Sequence, residues 1–266
     1  MEPTTLYKTV DYPLAKLNED IEMGEIGLPE LQRPFVWSRT KVRNLFDSMY
    51  RGYPIGYLLL WENSGQFNQR QIGVESKQKI PRLLIIDGQQ RLTAIKLVKD
   101  GDDNYPLMFS LYPENEDEPD ENRFSFKTKS NKNDPWYVSV SDIINNNINA
   151  IEIVDRLKHG TEDFNPVLHS NQVLASITML QSIMSYQIGV IEYEDDHYRK
   201  ATELFIRFNS TGKKLKGTDL VSAELAINVP ELVSQGINTT CTKFTPNFTF
   251  SNTFLIQCMV AVHTSK

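Results

Sequence analysis

Apolar positions in this chain follow two rhythms, and the changes between them mark out the predicted elements. Residues 14–23 have helical spacing and stop at Gly24. GLPELQRPFVW (27–37) reads as extended, because Pro29 and Pro34 each push the preceding residue out of the helical region. Ser38 is placed to cap a helix from Arg39 to Tyr50, where Val42, Leu45, Phe46 and Met49 share one face. Gly52-Tyr53-Pro54-Ile55-Gly56 breaks the pattern before the strand YLLLWE (57–62). A polar, Gln-rich excursion at 63–80 predicts a loop or hairpin. A strand at 82–86 then runs into a helix at 89–99. Further strands are expected at 105–112, 122–127 and 136–140.

From residue 141 the spacing turns mainly helical, with segments at SDIINNN, 149–158, 170–183 and 196–209 and one strand at 187–193. Thr218 caps an expected helix at 219–228. In the last segment Phe254, Leu255, Cys258, Met259 and Val262 form an apolar stripe that must pack on something. It covers this domain or, the reading preferred here, packs on a parent protein continuing past Lys266. The pattern predicts a mixed α+β fold: an α/β unit over 1–140, then a mainly helical region over 141–266 that packs back on it. There are no internal repeats.

A length of 266 residues with 40% hydrophobic and 23% charged side chains suits one large globular domain or two modest ones. The start, MEPTTLYKTVDYPLAKL, lacks the basic and apolar runs of a signal peptide. No run reaches the roughly 18 apolar residues of a membrane-spanning helix. Cys241 and Cys258 are too few for a disulfide framework or a zinc site, so the cytoplasm is the expected compartment. A net charge of −6 argues against a surface that grips nucleic acid throughout, but the charge is uneven. ENEDEPDE (114–121) reads as a solvated acidic loop. The stretch 31–46 carries Arg33, Arg39, Lys41 and Arg43 with no acid, and STGKKLKG carries Lys213, Lys214 and Lys216. These basic stretches serve either a phosphate surface or plain solubility.

The strand–turn–helix LLIIDGQQRLTAIKLV (83–98) is where the chemistry concentrates. A helix N-terminus presents amides and partial positive charge, and α/β proteins bind ligands at the carboxyl ends of their strands. Gly88 permits unusual dihedrals and close approach to the backbone. Gln89 and Gln90 can donate and accept hydrogen bonds, and Arg91 supplies a fork suited to phosphate. On the helix Arg91 shares a face with Ile95 and Val98, so its guanidinium should lean into the crevice over the strand end and need an anion there. Either Asp87 is that partner, as an N-cap and ion-pair strut, or a bound phosphate is. Asp87 could also help hold magnesium, weakly indicated by one carboxylate beside phosphates.

Other motifs fail. Gly212-Lys213 resembles the end of a Walker loop, but Arg207 stands where the first glycine belongs and Lys214 where Ser or Thr does. His159, His169, His197 and His263 have no ligand spacing and read as surface or core residues. No nuclease or metal centre is visible.

Three blocks taken together resemble a known family. They are LQRPFVWSRTKVRNLFDSMYRGYPIGYLLLWE (31–62), LLIIDGQQRLTAIKLV, and LFIRFNSTGKKLKGTDLVSAELA (204–226). In order and spacing they are similar to the N-terminal DGQQR domain of GmrSD-type, modification-dependent (type IV) restriction endonucleases. That domain is related to the ParB and sulfiredoxin fold, a small mixed sheet with flanking helices. The resemblance implies that the turn binds the phosphates of a nucleoside triphosphate, GTP or another, with Mg2+, and supports hydrolysis coupled to sensing modified DNA. It implies catalytic roles for Asp87, Gln89, Gln90 and Arg91. It implies nucleotide contacts for Gln32, Arg33, Gly88, Asn209 and Lys213, and packing for Leu215. Gly52, Pro54 and Gly56 also match and read as turn-formers. DNA would meet Arg39, Lys41, Arg43, Lys214 and Lys216. The family's nuclease domain is missing here, which predicts a nuclease in a longer chain or a separate subunit. A homodimer is compatible with this reading. The rival is a non-catalytic ParB-like DNA-binding module switched by bound nucleotide.

Overall fold

A computed structural model describes residues 6–29, 35–62, 69–70, 81–112, 123–162 and 164–194, with single helical positions at Lys200, Leu204, Phe254, Leu255 and Cys258. In chain order the elements are β1 (Tyr7–Pro13), α1 (Leu14–Glu22), β2 (Ile26–Pro29), α2 (Arg39–Tyr50), β3 (Leu58–Glu62) and β4 (Gln69–Arg70). They continue with β5 (Leu83–Asp87), α3 (Gln89–Lys99), β6 (Leu107–Ser110), β7 (Phe124–Phe126), β8 (Tyr137–Ser139), α4 (Val140–Ile144), α5 (Ala150–Gly160), α6 (Pro166–Ser182) and β9 (Gln187–Tyr193). The fold is mixed α+β, as the alternation of rhythms predicts.

The main sheet runs β1-β9-β3-β5-β2-β4, and β7-β6-β8 form a smaller antiparallel sheet. β9 pairs antiparallel with β1 and parallel with β3; β5 pairs antiparallel with β3 and parallel with β2. β3 and β5 are near-continuous apolar runs because both of their faces are covered. Leu58, Leu60, Leu83 and Ile85 join the main core with Val42, Phe46, Leu92 and Ile95 of α2 and α3. Leu59, Trp61, Leu84 and Ile86 face the other way, into a second cluster that includes Tyr193 and the partly buried Leu204.

The helix predicted at 89–99 and the strand at 187–193 are observed with those bounds. Ser38 caps α2 by accepting a hydrogen bond from the Lys41 amide. Val140 opens α4 where the pattern predicts the end of a strand, because Ser139 caps a helix there. α6 begins at Pro166, four residues before the expected 170. β1 has no counterpart in the sequence reading. Of the excursion at 63–80 only β4 is described, and it pairs with β2. The acidic run 114–121 and the segments 196–209 and 219–228 lie outside the described residues, apart from the helical positions Lys200 and Leu204. Among the described residues no helix is long and apolar enough to cross a membrane.

One acid is almost fully enclosed. Glu192 on β9 is 3% exposed, accepts from the Tyr12 hydroxyl at 2.6 Å and pairs with Lys8 Nζ at 2.9 Å. Both partners come from β1, and Lys8 lies directly opposite Glu192 in the register.

Candidate functional site

The turn predicted to carry the chemistry stands at the carboxyl end of β5, between β3 and β2 in the sheet. The β3–β5 register shifts at this point: Leu59 faces Asp87 but Leu60 faces Ile85, so β5 holds one residue more than its partner. Such a bulge re-aims the strand end. Gly88 follows with φ +101°, a left-handed conformation that glycine adopts without penalty. A side chain there would also collide with Leu58, itself buried in the core. Gly88 is therefore the N-cap of α3, and its carbonyl accepts from the amides of both Arg91 and Leu92. Of the alternative that made Asp87 both N-cap and ion-pair strut, the cap is absent: Asp87 is the last residue of β5, one position too early, and α3 has no side-chain cap.

Arg91 does lean into the crevice, with its side chain 15% exposed. Nη2 donates to Asp87 Oδ2 at 3.0 Å and to the Tyr57 carbonyl at 2.7 Å, and Nη1 donates to the Ile55 carbonyl at 2.8 Å. The guanidinium thus clamps the loop between α2 and β3. Gly56, at φ +87°, lies so close that a Cβ there would sit 2.9 Å from Nη1, so this glycine makes room for the arginine as well as forming a turn. Burial lowers the Arg91 pKa from its ordinary value, and Asp87 acts against that shift through its charge and its hydrogen bond. The carboxylate partner itself is 42% exposed.

The glutamines divide their work. Gln89 is buried, and Gln90 Oε1 accepts from the Val36 amide at 2.8 Å. Gln32 and Arg33 lie outside the described residues, but Pro29, before them, ends a strand parallel to β5, and Val36, after them, is bonded to Gln90. Asn209, Lys213, Lys214 and Lys216 also lie outside the described residues. Arg39, Lys41 and Arg43 stand on α2. Arg39 Nε donates to the Asn104 carbonyl at 3.0 Å and its guanidinium lies over Phe126; Lys41 lies over Trp37; Arg43 holds Asn44 beside it. His169 is tied to the Asn165 amide and packs on Trp136 and Phe164, whereas His159 is exposed.

A family model described as "GmrSD restriction endonuclease, N-terminal domain" matches residues 14–226, which take in all three motif blocks. The chain belongs to this GmrSD N-terminal family. An uncharacterised protein of Methanocaldococcus jannaschii is 26% identical over 236 residues, which are 75% of this chain and 39% of that protein. The chain thus spans well under half of the length of this relative. Within the GmrSD N-terminal family match fall every described residue of the turn, the clamped loop and the basic face of α2.

Sequence reasoning missed the acceptors that hold Arg91, because backbone carbonyls carry no signature of residue type. It also missed the bulge and the Val36 amide. A glycine at 56, within reach of an inward arginine, was the available signal for the clamp.

Proposed function

We propose that this chain is the nucleotide-binding, DNA-sensing part of a modification-dependent restriction system that acts in anti-phage defence. A nucleoside triphosphate, GTP or another, would be held at the Asp87–Arg91 turn and hydrolysed there. One observation carries the reading: a buried cation at the start of α3 has a single side-chain anion among the described residues, and that anion, Asp87, is 42% exposed. A cation desolvated in this way gains from a further anion.

Each residue then has a task. Arg91 and the start of α3 stabilise charge on the transferring phosphoryl group, where most catalysis of phosphoryl transfer originates. Gly88 holds the left-handed turn from which α3 starts, beside the phosphates. Gln89 or Gln90 orients water or the γ-phosphate. Gln32, Arg33, Asn209 and Lys213 supply further phosphate or nucleotide contacts. For Mg2+ the fit rests on Asp87, a half-exposed carboxylate with Oδ2 on Arg91, and one carboxylate beside nucleotide phosphates is a common arrangement. The ion, when bound, would neutralise phosphate charge. DNA, modified or not, would lie along Arg39, Lys41 and Arg43, and cleavage would fall to a nuclease domain in the longer protein or to a separate subunit.

A second reading is favoured by the clamp. Arg91 can turn toward phosphate only by loosening Ile55 or Tyr57, so nucleotide would switch the loop between α2 and β3 and turnover would be incidental. Phosphate release with each NTP, with and without modified DNA, separates the two. Hydrolysis predicts that Arg91→Ala lowers turnover about a hundredfold or more. Binding without turnover above the Arg91→Ala background leaves only the switch. If no nucleotide binds at all, both readings fall.

A further inference from the structure

We propose that the outer face of the Tyr57 ring is a stacking platform for a nucleobase. The inference rests on the reading of the neighbouring turn as a phosphate site. Tyr57 is the residue before β3 and is 62% exposed although it stands at a sheet end. The inner flank is fixed. β9 lies parallel to β3 with Leu58 opposite Val190, which places Gly189 under the ring. A Cβ built on Gly189 would lie 2.5 Å from Cε1 and 2.6 Å from Cδ1, so this edge of the ring rests on bare backbone and only glycine allows that seat.

The platform is also tied to the turn. The Tyr57 carbonyl accepts from Arg91 Nη2 at 2.7 Å, and the same nitrogen holds Asp87 at 3.0 Å. A phosphate chain at Asp87–Arg91 would therefore lie next to the backbone of the residue that carries this exposed ring. Had Tyr57 served only to cover the sheet, its area would be buried against the second apolar cluster, as Trp61 and Leu59 on the same strand are. An aromatic ring accepts any base, because every base has a π-face, and stacking is sequence-tolerant. The base comes either from the nucleotide at the turn or from a strand of DNA reaching it.

Binding of an NTP, of inorganic triphosphate and of a short single-stranded oligonucleotide tests this on the full chain. The proteins compared are wild type, Tyr57→Phe, Tyr57→Leu and Gly189→Ala. Thermal unfolding serves as the folding control, which the exposed Tyr57 should pass. The proposal expects Tyr57→Leu to bind a base-containing ligand about tenfold more weakly while inorganic triphosphate binds as in wild type. Tyr57→Phe keeps full affinity, and Gly189→Ala, which lifts the ring from its seat, repeats the selective loss. Weakened NTP binding assigns the base to the nucleotide; weakened oligonucleotide binding alone assigns it to DNA. If Tyr57→Leu binds all ligands like wild type, or loses triphosphate equally, the platform is overturned and the phosphate reading stands. If wild type binds neither NTP nor triphosphate, the phosphate reading fails first and this inference fails with it.

Discussion

Gly88 carries two constraints at once, a φ of +101° and a missing Cβ that would enter Leu58. Left-handed backbone costs an L-residue about 1–2 kcal/mol, and overpacking a buried leucine adds about 1–3 kcal/mol. Gly88→Ala should therefore destabilise the fold by about 3 kcal/mol in urea unfolding. A loss below about 0.5 kcal/mol would show that Leu58 and the turn relax freely. This double demand was half legible in the sequence: a glycine between strand and helix announces unusual dihedrals, but Leu58 comes from another strand. Arg91 was legible in the same partial way. Helical spacing with Ile95 and Val98 turned it inward, and of its two candidate partners the structure supplies Asp87. The Ile55 and Tyr57 carbonyls could not be read, since any residue carries one. Asp87 fails as a cap because cap preference is a statement about residue type, and here the left-handed Gly88 occupies the position.

At the scale of elements, the β1–β9 pair is held by a buried charge whose protonation should be visible in stability. Burial alone would raise the Glu192 pKa, but hydrogen bonds from Tyr12 and Lys8 and the charges of Lys8 and Arg82 outweigh it, leaving the pKa lowered. A carboxylate whose folded pKa lies below its unfolded one contributes stability above the unfolded value. That contribution disappears as pH falls through the folded pKa. Glu192→Gln should thus cost about 1 kcal/mol at pH 7, and the difference from wild type should shrink as pH falls through the lowered folded-state pKa of Glu192. Urea unfolding across an acid pH series reads it, and a difference unchanged with pH would remove Glu192 from the account. β1 shows why some elements escaped the pattern. Tyr7–Pro13 has mostly exposed positions at a sheet edge, and its identity as a strand rests on pairing with residues about 180 positions away. β3 and β5, apolar on both faces, had no such dependence. The early start of α6 was readable, because Asn165 accepts from the Val167 amide and Pro166 sits in the first turn, a recognised start signal.

At the scale of the molecule, a chain of net charge −6 repels DNA as a whole, so any DNA contact has to come from a local basic face. Among the described residues α2 offers one, with Arg39 and Lys41 exposed and Arg43 partly so. The three are not equivalent. Arg39 is bonded to Asn104 and stacked on Phe126, so it also ties α2 to the loops around the smaller sheet. Among the described residues Lys41 is held only through the Trp37 ring, at 5.9 Å, and Arg43 only through its neighbour Asn44. Lys41 and Arg43 are therefore the residues that can reach phosphates without loosening the fold. Every phosphate that a side chain no longer neutralises should lower the salt dependence of binding, the slope of log K against log salt, by about 0.9 for duplex DNA. Lys41→Gln and Arg43→Gln together should weaken duplex binding at low salt and reduce that slope by about 2, with unfolding midpoints unchanged. Arg39→Gln should lower the slope by no more than a single phosphate's share but also lower the midpoint. Titrations at several salt concentrations distinguish these outcomes. A slope untouched by the double substitution would move the DNA surface away from α2. The phosphate chemistry proposed for the Asp87–Arg91 turn would keep its own test.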